Sequence, residues 1–161
     1  MASSSKNLSQ HSGKNTQKLP DKKVAVVVSE WNEEVTESLY NGALETLLKH
    51  GLKRENIIRR NVPGSFELTL SAQWMAAKEE IDAVICLGCV IQGETRHFDF
   101  ICDAVAQGLT QVSLKFNKPV IFGVLTPNTQ QQALDRAGGK HGNKGDEAAI
   151  TAIKMLNFQA E

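Results

Sequence analysis

The segment 83–103 combines residues that could bind an anion and transfer a proton. It begins with an apolar run over 83–90, continues through a polar loop containing Gly93, and reaches the start of a predicted helix near His97. The first backbone N–H groups of a helix have no partners within the helix and can bind an anion. An imidazole beside that anion can transfer protons near neutral pH. Simpler roles are a turn for Gly93 and a structural position for His97.

Four further side chains are candidates for a site, and each also has an ordinary structural role. Trp31 can stack on a planar heterocycle or merely cover the edge of a sheet. Glu67 can accept hydrogen bonds from ligand hydroxyls and amines, or complement the dipole of a helix. Arg136 can bind phosphate or the last carbonyl groups of its own helix. Lys144, in the sequence G-N-K-G, can contact a ligand or be a solvated lysine.

The hydrophobic pattern predicts strands that alternate with helices. Strands are expected over 23–29, 56–62, 83–90 and 119–125, the second less apolar and therefore at an edge of the sheet. Helices are expected over 33–50, from Ser65 as N-cap to about 80, over 97–116, from Thr126-Pro127 to 137, and after Asn143 as N-cap.

This alternation predicts an α/β fold with a four-stranded parallel sheet and helices on both faces, a flavodoxin-like three-layer sandwich. Ligands of such sheets bind outside the carboxyl ends of the strands. Trp31, Glu67 and His97 each follow such a strand end, so we expect them to meet along one rim.

Composition limits the classes of function. The chain has 161 residues, with 18 basic and 18 acidic side chains, so no overall field attracts nucleic acid. Residues 1–21 are rich in Ser, Asn, Gln and Lys, which predicts a disordered tail before a catalytic domain over 22–161. Neither a secretory signal nor a long apolar span is present in the sequence, so we expect a cytoplasmic protein without membrane contact.

The three cysteines are predicted to be reduced thiols, and Cys86 and Cys89 are predicted to lie in the core. Cys86 and Cys89 form C-x-x-C, but they lie three residues apart on a predicted strand and therefore point to opposite faces. That arrangement suits neither a redox pair nor a zinc site, so no metal is expected. No G-x-G-x-x-G follows the first strand, which argues against a dinucleotide oxidoreductase.

Three motifs resemble the lumazine synthase family. They are P-G-S-F-E at 63–67, G-C-V-I-Q-G-E-T-R-H-F-D at 88–99 and R-A-G-G-K-H-G-N-K-G at 136–145, within a resemblance that runs from about 22 to 156. The resemblance implies a transferase of riboflavin biosynthesis. It would condense 5-amino-6-(D-ribitylamino)uracil with 3,4-dihydroxy-2-butanone 4-phosphate to 6,7-dimethyl-8-ribityllumazine, without a cofactor.

The resemblance also implies roles for individual residues. His97 is the acid–base group. The ribitylaminouracil would be held by Trp31, Asn32, Ser65, Phe66, Glu67, Cys89, Val90, Ile91, Phe122 and Lys144. The butanone phosphate would be held by Gly93, Glu94, Thr95 and Arg136. Phe122, Arg136 and Lys144 would come from a neighbouring subunit.

Assembly and two rival functions follow from the same resemblance. It implies a homo-oligomer built from pentamers, and the short link over 138–142 resembles members that form icosahedral shells, with an association with riboflavin synthase. The rivals are a non-catalytic carrier of flavin or lumazine and an archaeal-type riboflavin synthase on the same fold.

Overall fold

Four parallel strands form the central sheet of the computed structural model, which describes residues 19–160. They are β1 (Val24–Ser29), β2 (Ile57–Val62), β3 (Ala83–Cys89) and β4 (Val120–Leu125), arranged in the order β2-β1-β3-β4. The predicted parallel sheet is confirmed, and β2 lies at an edge as expected. Residues 1–18 of the predicted tail lie outside the described residues.

Five helices accompany the sheet in the described part of the chain. They are α1 (Glu33–Lys49), α2 (Leu68–Ala76), α3 (His97–Phe116), α4 (Gln130–Arg136) and α5 (Lys144–Ala160). None of these helices is long and apolar enough to cross a membrane.

The two central strands, β1 and β3, are buried along their whole length, and their successive side chains point to alternate faces of the sheet. One core joins Val24 and Val26 of β1 to α1 and α5, with Leu39 and Ile153 among its buried members. The other core joins Val27 of β1 to α2 and α3. Helices therefore cover both faces, and the predicted three-layer arrangement is confirmed.

The cysteines lie where their spacing on a strand predicts. Cys89 packs in the core of α1 and α5, whereas Cys86 packs in the opposite core. Both are buried, and all three cysteines are free thiols. The prediction that Cys86 and Cys89 are core side chains on opposite faces of the sheet is confirmed.

The helix predicted from Ser65 is shorter than expected. Ser65–Glu67 form one 3₁₀ turn, and α2 ends at Ala76 rather than near 80. Ser65 is not an N-cap, because its hydroxyl donates to the carbonyl oxygen of Cys89 at 3.2 Å. A Cβ on Gly88 would lie 2.6 Å from the Ser65 oxygen, so glycine there lets the turn approach β3 closely.

The helix predicted to start at Thr126-Pro127 begins later. Its N-cap is Thr129, whose Oγ1 accepts from the backbone N–H of Gln132 at 3.2 Å. Pro127 instead stays in the loop, where its carbonyl oxygen accepts from the N–H of Gln92 at 3.0 Å. The loops after β3 and β4 are thereby joined.

The glycines after α4 form a hairpin rather than a simple helix end. β5 (Ala137–Gly139) pairs antiparallel with β6 (Gly142–Asn143), and Gly138 and Gly142 adopt positive φ angles of 105° and 78°. Asn143 caps α5 as predicted, since its Oδ1 accepts from the N–H of Gly145 at 2.8 Å. Strand pairing this short is hidden from hydrophobic periodicity.

Candidate active site

A cleft of about 740 Å³, which we call the Trp31 cleft, opens at the carboxyl edge of the sheet. The ends of β1, β2 and β3 and the start of α3 supply its walls. It is lined by Trp31, Pro63, Gly64, Ser65, Phe66, Glu67, Cys89, Val90, Ile91, His97 and Ile101. Eight of the predicted pyrimidine-site and catalytic residues are in this lining, which is the meeting of strand ends that the sequence predicts.

Two aromatic side chains give the cleft surfaces suited to a planar ligand. Trp31 is 50% exposed and Phe66 is 56% exposed. The backbone N–H of Trp31 donates to the carbonyl oxygen of Pro63 at 3.2 Å, so the loops that follow β1 and β2 are joined at this point. A large exposed indole inside a concave surface can stack on a heterocycle at little cost in desolvation.

Glu67 and His97 bring polar chemistry to the same cleft. Glu67 ends the 3₁₀ turn, and its exposed carboxylate makes no ion pair or side-chain hydrogen bond with the other described residues. His97 is the first residue of α3 and is also exposed. A free carboxylate can accept from ligand hydroxyls, and an accessible imidazole can exchange protons with a ligand.

Gly93, Glu94 and Thr95 form the exposed loop before α3, beyond the lining of the cleft. The loop is fixed at its start, since the N–H of Val90 donates to the carbonyl oxygen of Leu125 at 2.8 Å. Thr95 Oγ1 accepts a hydrogen bond from the backbone N–H of His97 at 3.4 Å. A Cβ on Gly93 would meet no atom within 4 Å, so space alone does not require glycine there.

Asn32 is not in the lining of the Trp31 cleft, although the sequence predicts it there. It has a left-handed backbone, with φ 62°, and its carboxamide turns toward α4. Its Nδ2 donates to Oε1 of Gln130 at 2.8 Å, and its Oδ1 accepts from Nε2 of Gln130 at 3.1 Å. Its Nδ2 also lies 3.8 Å from Sγ of Cys89.

A second pocket of about 370 Å³, which we call the Arg136 pocket, lies between β4, α4 and α5. It is lined by Phe122, Val124, Leu125, Thr126, Pro127, Asn128, Gln132, Arg136 and Lys144. The three residues predicted to serve a neighbouring subunit are all here. The two linings share no residue, so one chain holds most of the predicted site residues as two separate groups, while Asn32, Gly93, Glu94 and Thr95 lie in neither lining.

The two cations of the Arg136 pocket differ in how free they are. Lys144 Nζ lies 2.8 Å from Oε2 of Glu147 in a largely buried ion pair, which offsets its charge. Arg136 donates from one guanidinium nitrogen to the carbonyl oxygen of Gln132 at 3.3 Å. Its remaining donors are available, so Arg136 is the better group for an anion.

Sequence reasoning missed two partners of the predicted residues. Glu147 follows Lys144 by three positions on a helix, a spacing that could have indicated the pair. Gln130 lies 98 positions from Asn32, and no local pattern indicates that contact.

Burial sets the ionisation of the cysteines near the cleft. It raises the pKa of Cys89 to about 11, opposed by the hydrogen bond from Asn32 and assisted by the nearby Cys102 thiol. It also raises the pKa of Cys102. Neither thiol is an activated nucleophile. Among residues 19–160, no group of three or more His, Cys, Asp or Glu side chains is arranged to hold a metal ion.

The fold and the site together define a flavodoxin-like α/β protein with an aromatic cleft at the carboxyl edge of its sheet. Residues 21–160 match the family model of 6,7-dimethyl-8-ribityllumazine synthase. The chain belongs to this family.

Individual relatives cover nearly the whole chain. A protein of Cytophaga hutchinsonii named 6,7-dimethyl-8-ribityllumazine synthase is 69% identical over 97% of this chain and 98% of its own. Proteins of the same name from Parabacteroides distasonis and Porphyromonas gingivalis are 52% and 50% identical, each over 99% of this chain. The matching regions span 100% of the Parabacteroides distasonis protein and 99% of the Porphyromonas gingivalis protein.

Proposed function

We propose that this protein condenses 5-amino-6-(D-ribitylamino)uracil with 3,4-dihydroxy-2-butanone 4-phosphate to 6,7-dimethyl-8-ribityllumazine, releasing phosphate and water. The observation that carries the proposal is that Trp31, Glu67 and His97 line one cleft in a chain of this family. The relatives named above bear the name of this activity. The reaction is a step of riboflavin biosynthesis.

The chemistry requires positioning and proton transfer more than any special reactive group. The amine of the uracil attacks the ketone, and a first water leaves to give an imine. Phosphate is then eliminated. The ribitylamino nitrogen closes the second ring on the remaining carbonyl carbon, and a second water leaves. Holding two reactants side by side can contribute on the order of 7–11 kcal/mol at best. His97 transfers the protons, since it lies exposed in the cleft at the start of α3.

The Trp31 cleft is our proposed site for the pyrimidine. Trp31 stacks on the ring and Phe66 packs beside it, while the free carboxylate of Glu67 accepts from ribityl hydroxyls. Cys89, Val90 and Ile91 form the wall toward β3. Ser65 supports that wall through its bond to the Cys89 carbonyl group. Asn32 acts at the border of this cleft.

The phosphate is proposed to lie against the loop before α3. The loop of Gly93, Glu94 and Thr95 leads into the start of α3, where partial positive charge favours an anion, and we propose that the backbone N–H groups of this loop bind the phosphate. Arg136 supplies a full positive charge as the phosphate departs. Phe122 closes the pyrimidine side, and Lys144 reaches the pyrimidine edge while paired with Glu147.

Completion of the site by a neighbouring subunit is the second part of the proposal. It is supported by the separate linings of the Trp31 cleft and the Arg136 pocket, which a head-to-tail ring would bring together. The proposed ring is a pentamer, with a shell of pentamers suggested by the short link over 138–142. We also propose a cytoplasmic location and an association with riboflavin synthase, which are supported by the sequence and its resemblance to the family.

The activity is tested by supplying the substrates in separate combinations. Incubation with both substrates is expected to give the fluorescence of the lumazine and release phosphate. Binding of the lumazine without any turnover would favour the carrier instead. Formation of riboflavin from the lumazine alone would favour an archaeal-type riboflavin synthase.

The shared site is tested by mixing two impaired variants, assayed at a butanone phosphate concentration well below the wild-type KM. His97→Ala damages the Trp31 cleft and Arg136→Ala damages the Arg136 pocket. A site formed between two subunits is intact when the Arg136→Ala subunit supplies His97 and the neighbouring His97→Ala subunit supplies Arg136. Random mixing at equal amounts is expected to restore about one quarter of wild-type activity in a head-to-tail ring. No recovery from mixed assemblies of wild-type mass, measured by native mass spectrometry, would refute a shared site.

A further inference from the structure

The Asn32 side chain has a role unlike that of most asparagines at its position. An N-cap asparagine normally has an extended backbone and accepts from a backbone N–H of the first turn. Asn32 is the N-cap of α1, yet it is left-handed and its side chain makes no such bond. Its carboxamide is held by both ends of the Gln130 carboxamide instead.

This pair joins the two regions that carry the proposed site. Asn32 directly follows Trp31 of the Trp31 cleft. Gln130 is the first residue of α4, the helix that carries Gln132 and Arg136 to the Arg136 pocket. Nε2 of Gln130 also lies 3.5 Å from Oε2 of Glu34, so α1 and α4 both anchor the contact.

We propose that Gln130 is a positioning residue that orients Trp31 by holding Asn32 in its left-handed conformation. Without Gln130, the Asn32 carboxamide is free to cap its own helix, which favours an extended backbone at that residue. The peptide that links Asn32 to Trp31 then rotates and carries the indole with it. Gln130 lines neither pocket, and among the described residues its side chain forms hydrogen bonds only with Asn32 and Glu34.

The inference rests on the proposed function for its kinetic part, so its test includes a readout independent of turnover. Gln130→Met keeps the length of the side chain and removes both hydrogen bonds to Asn32, together with the 3.5 Å contact with Glu34. The matched control is Gln131→Met, since the adjacent Gln131 bonds only to Asp135 within α4 among the described residues. A Trp74→Phe background leaves Trp31 as the single tryptophan.

We expect Gln130→Met to raise the KM for the ribitylaminouracil roughly three- to tenfold, part of the loss that removing a stacking contact would cause. The kcat and the KM for the butanone phosphate stay within about twofold, as do all constants of Gln131→Met. Acrylamide quenching of Trp31 fluorescence should increase in Gln130→Met only.

Four results decide between the possible outcomes, and the first three bear on the role of Gln130. Unchanged quenching with an unchanged KM in an active protein would overturn the positioning role, as would a fall in kcat with KM unchanged. In an Asn32→Ala background, Gln130→Met should add no further rise in KM, and an additive rise would also overturn it. Absence of lumazine formation by the wild-type protein would defeat the proposed function, while the quenching comparison would still decide the role of Gln130.

Discussion

The Trp31 cleft and the Arg136 pocket lie at the same edge of the sheet but present different chemistry. The first is walled by aromatic and aliphatic groups, with Glu67 and His97 as its polar members. The second is smaller and carries Arg136, Lys144 and several amide and hydroxyl groups. One surface suits a planar heterocycle and the other suits an anion, although no single surface suits both reactants of the proposed condensation.

The difference has a structural origin in the helices that follow each strand. At the Trp31 cleft, buried strands pass directly into loops, so large side chains emerge with little cover. At the Arg136 pocket, the last turn of α4 and the first turn of α5 meet beside β4 and bring their polar side chains together. Each chain thus offers two unlike halves, and the following substitutions test whether they work as one site.

The largest effect is expected from His97→Ala. Loss of a proton-transfer group is expected to lower kcat by about 100-fold or more, with a smaller change in either KM. Because His97 is exposed, the free energy of unfolding should change by less than about 0.5 kcal/mol. Steady-state kinetics and chemical denaturation give both quantities. His50→Ala, at the end of α1, is the control, and normal turnover by folded, assembled His97→Ala would remove His97 from the mechanism.

The gathering of these residues could be predicted because it follows from strand ends. Apolar runs located β1, β3 and β4, and a less apolar run located β2. A parallel sheet of these strands then required Trp31, Glu67 and His97 to share an edge. The same logic placed Cys86 and Cys89 on opposite faces. Periodicity works well where burial on both faces leaves a strand few other structures to form.

The errors fall where tertiary contacts compete with local signals. Ser65 bonds to β3 rather than capping a helix, and Thr129 caps α4 in place of Thr126. The β5–β6 hairpin depends on two glycines with positive φ. The Asn32–Gln130 pair and the division into two linings depend on folding of the whole chain, so no local pattern contains them.

Arg136→Ala tests the anionic half of the comparison. Losing a charged hydrogen-bond donor to phosphate is expected to raise the KM for the butanone phosphate about 10- to 100-fold. The KM for the ribitylaminouracil should change little. Arg60→Ala, which removes an exposed arginine of β2, is the control. A wild-type KM for the phosphorylated substrate would show that Arg136 does not bind it.

Trp31→Ala tests the aromatic half and is expected to have a smaller effect. Loss of stacking should raise the KM for the ribitylaminouracil about tenfold. Trp31→Phe keeps an aromatic face, so its KM should stay within about threefold of wild type. Equal effects of both substitutions would contradict stacking as the role of this side chain. A rise only in the KM for the butanone phosphate would indicate that the Trp31 cleft, rather than the Arg136 pocket, binds the phosphorylated substrate.

Cys89→Ala is expected to have the smallest effect on activity, because the thiol forms part of a wall rather than a reacting group. Its pKa of about 11, raised by burial, keeps it protonated at neutral pH. We therefore expect turnover to change less than about threefold, well under the 1.4 kcal/mol of a tenfold effect. The pH profile of kcat between 6 and 9 should be unchanged, and a lost ionisation in that range would contradict this assignment.

The same substitution has a signature in stability at alkaline pH. Burial raises the pKa of Cys89 from the ordinary value of 9.0 to about 11. Between these two pH values the thiol stays protonated in the folded chain but loses its proton in the unfolded chain. The folded state then binds more protons, so the contribution of this thiol to the free energy of unfolding falls as pH rises across that window. Chemical denaturation at several pH values should therefore give a flatter curve for Cys89→Ala than for the wild-type protein. Parallel curves would mean that the Cys89 thiol is solvated in the folded state, so that this wall of the Trp31 cleft is open to water.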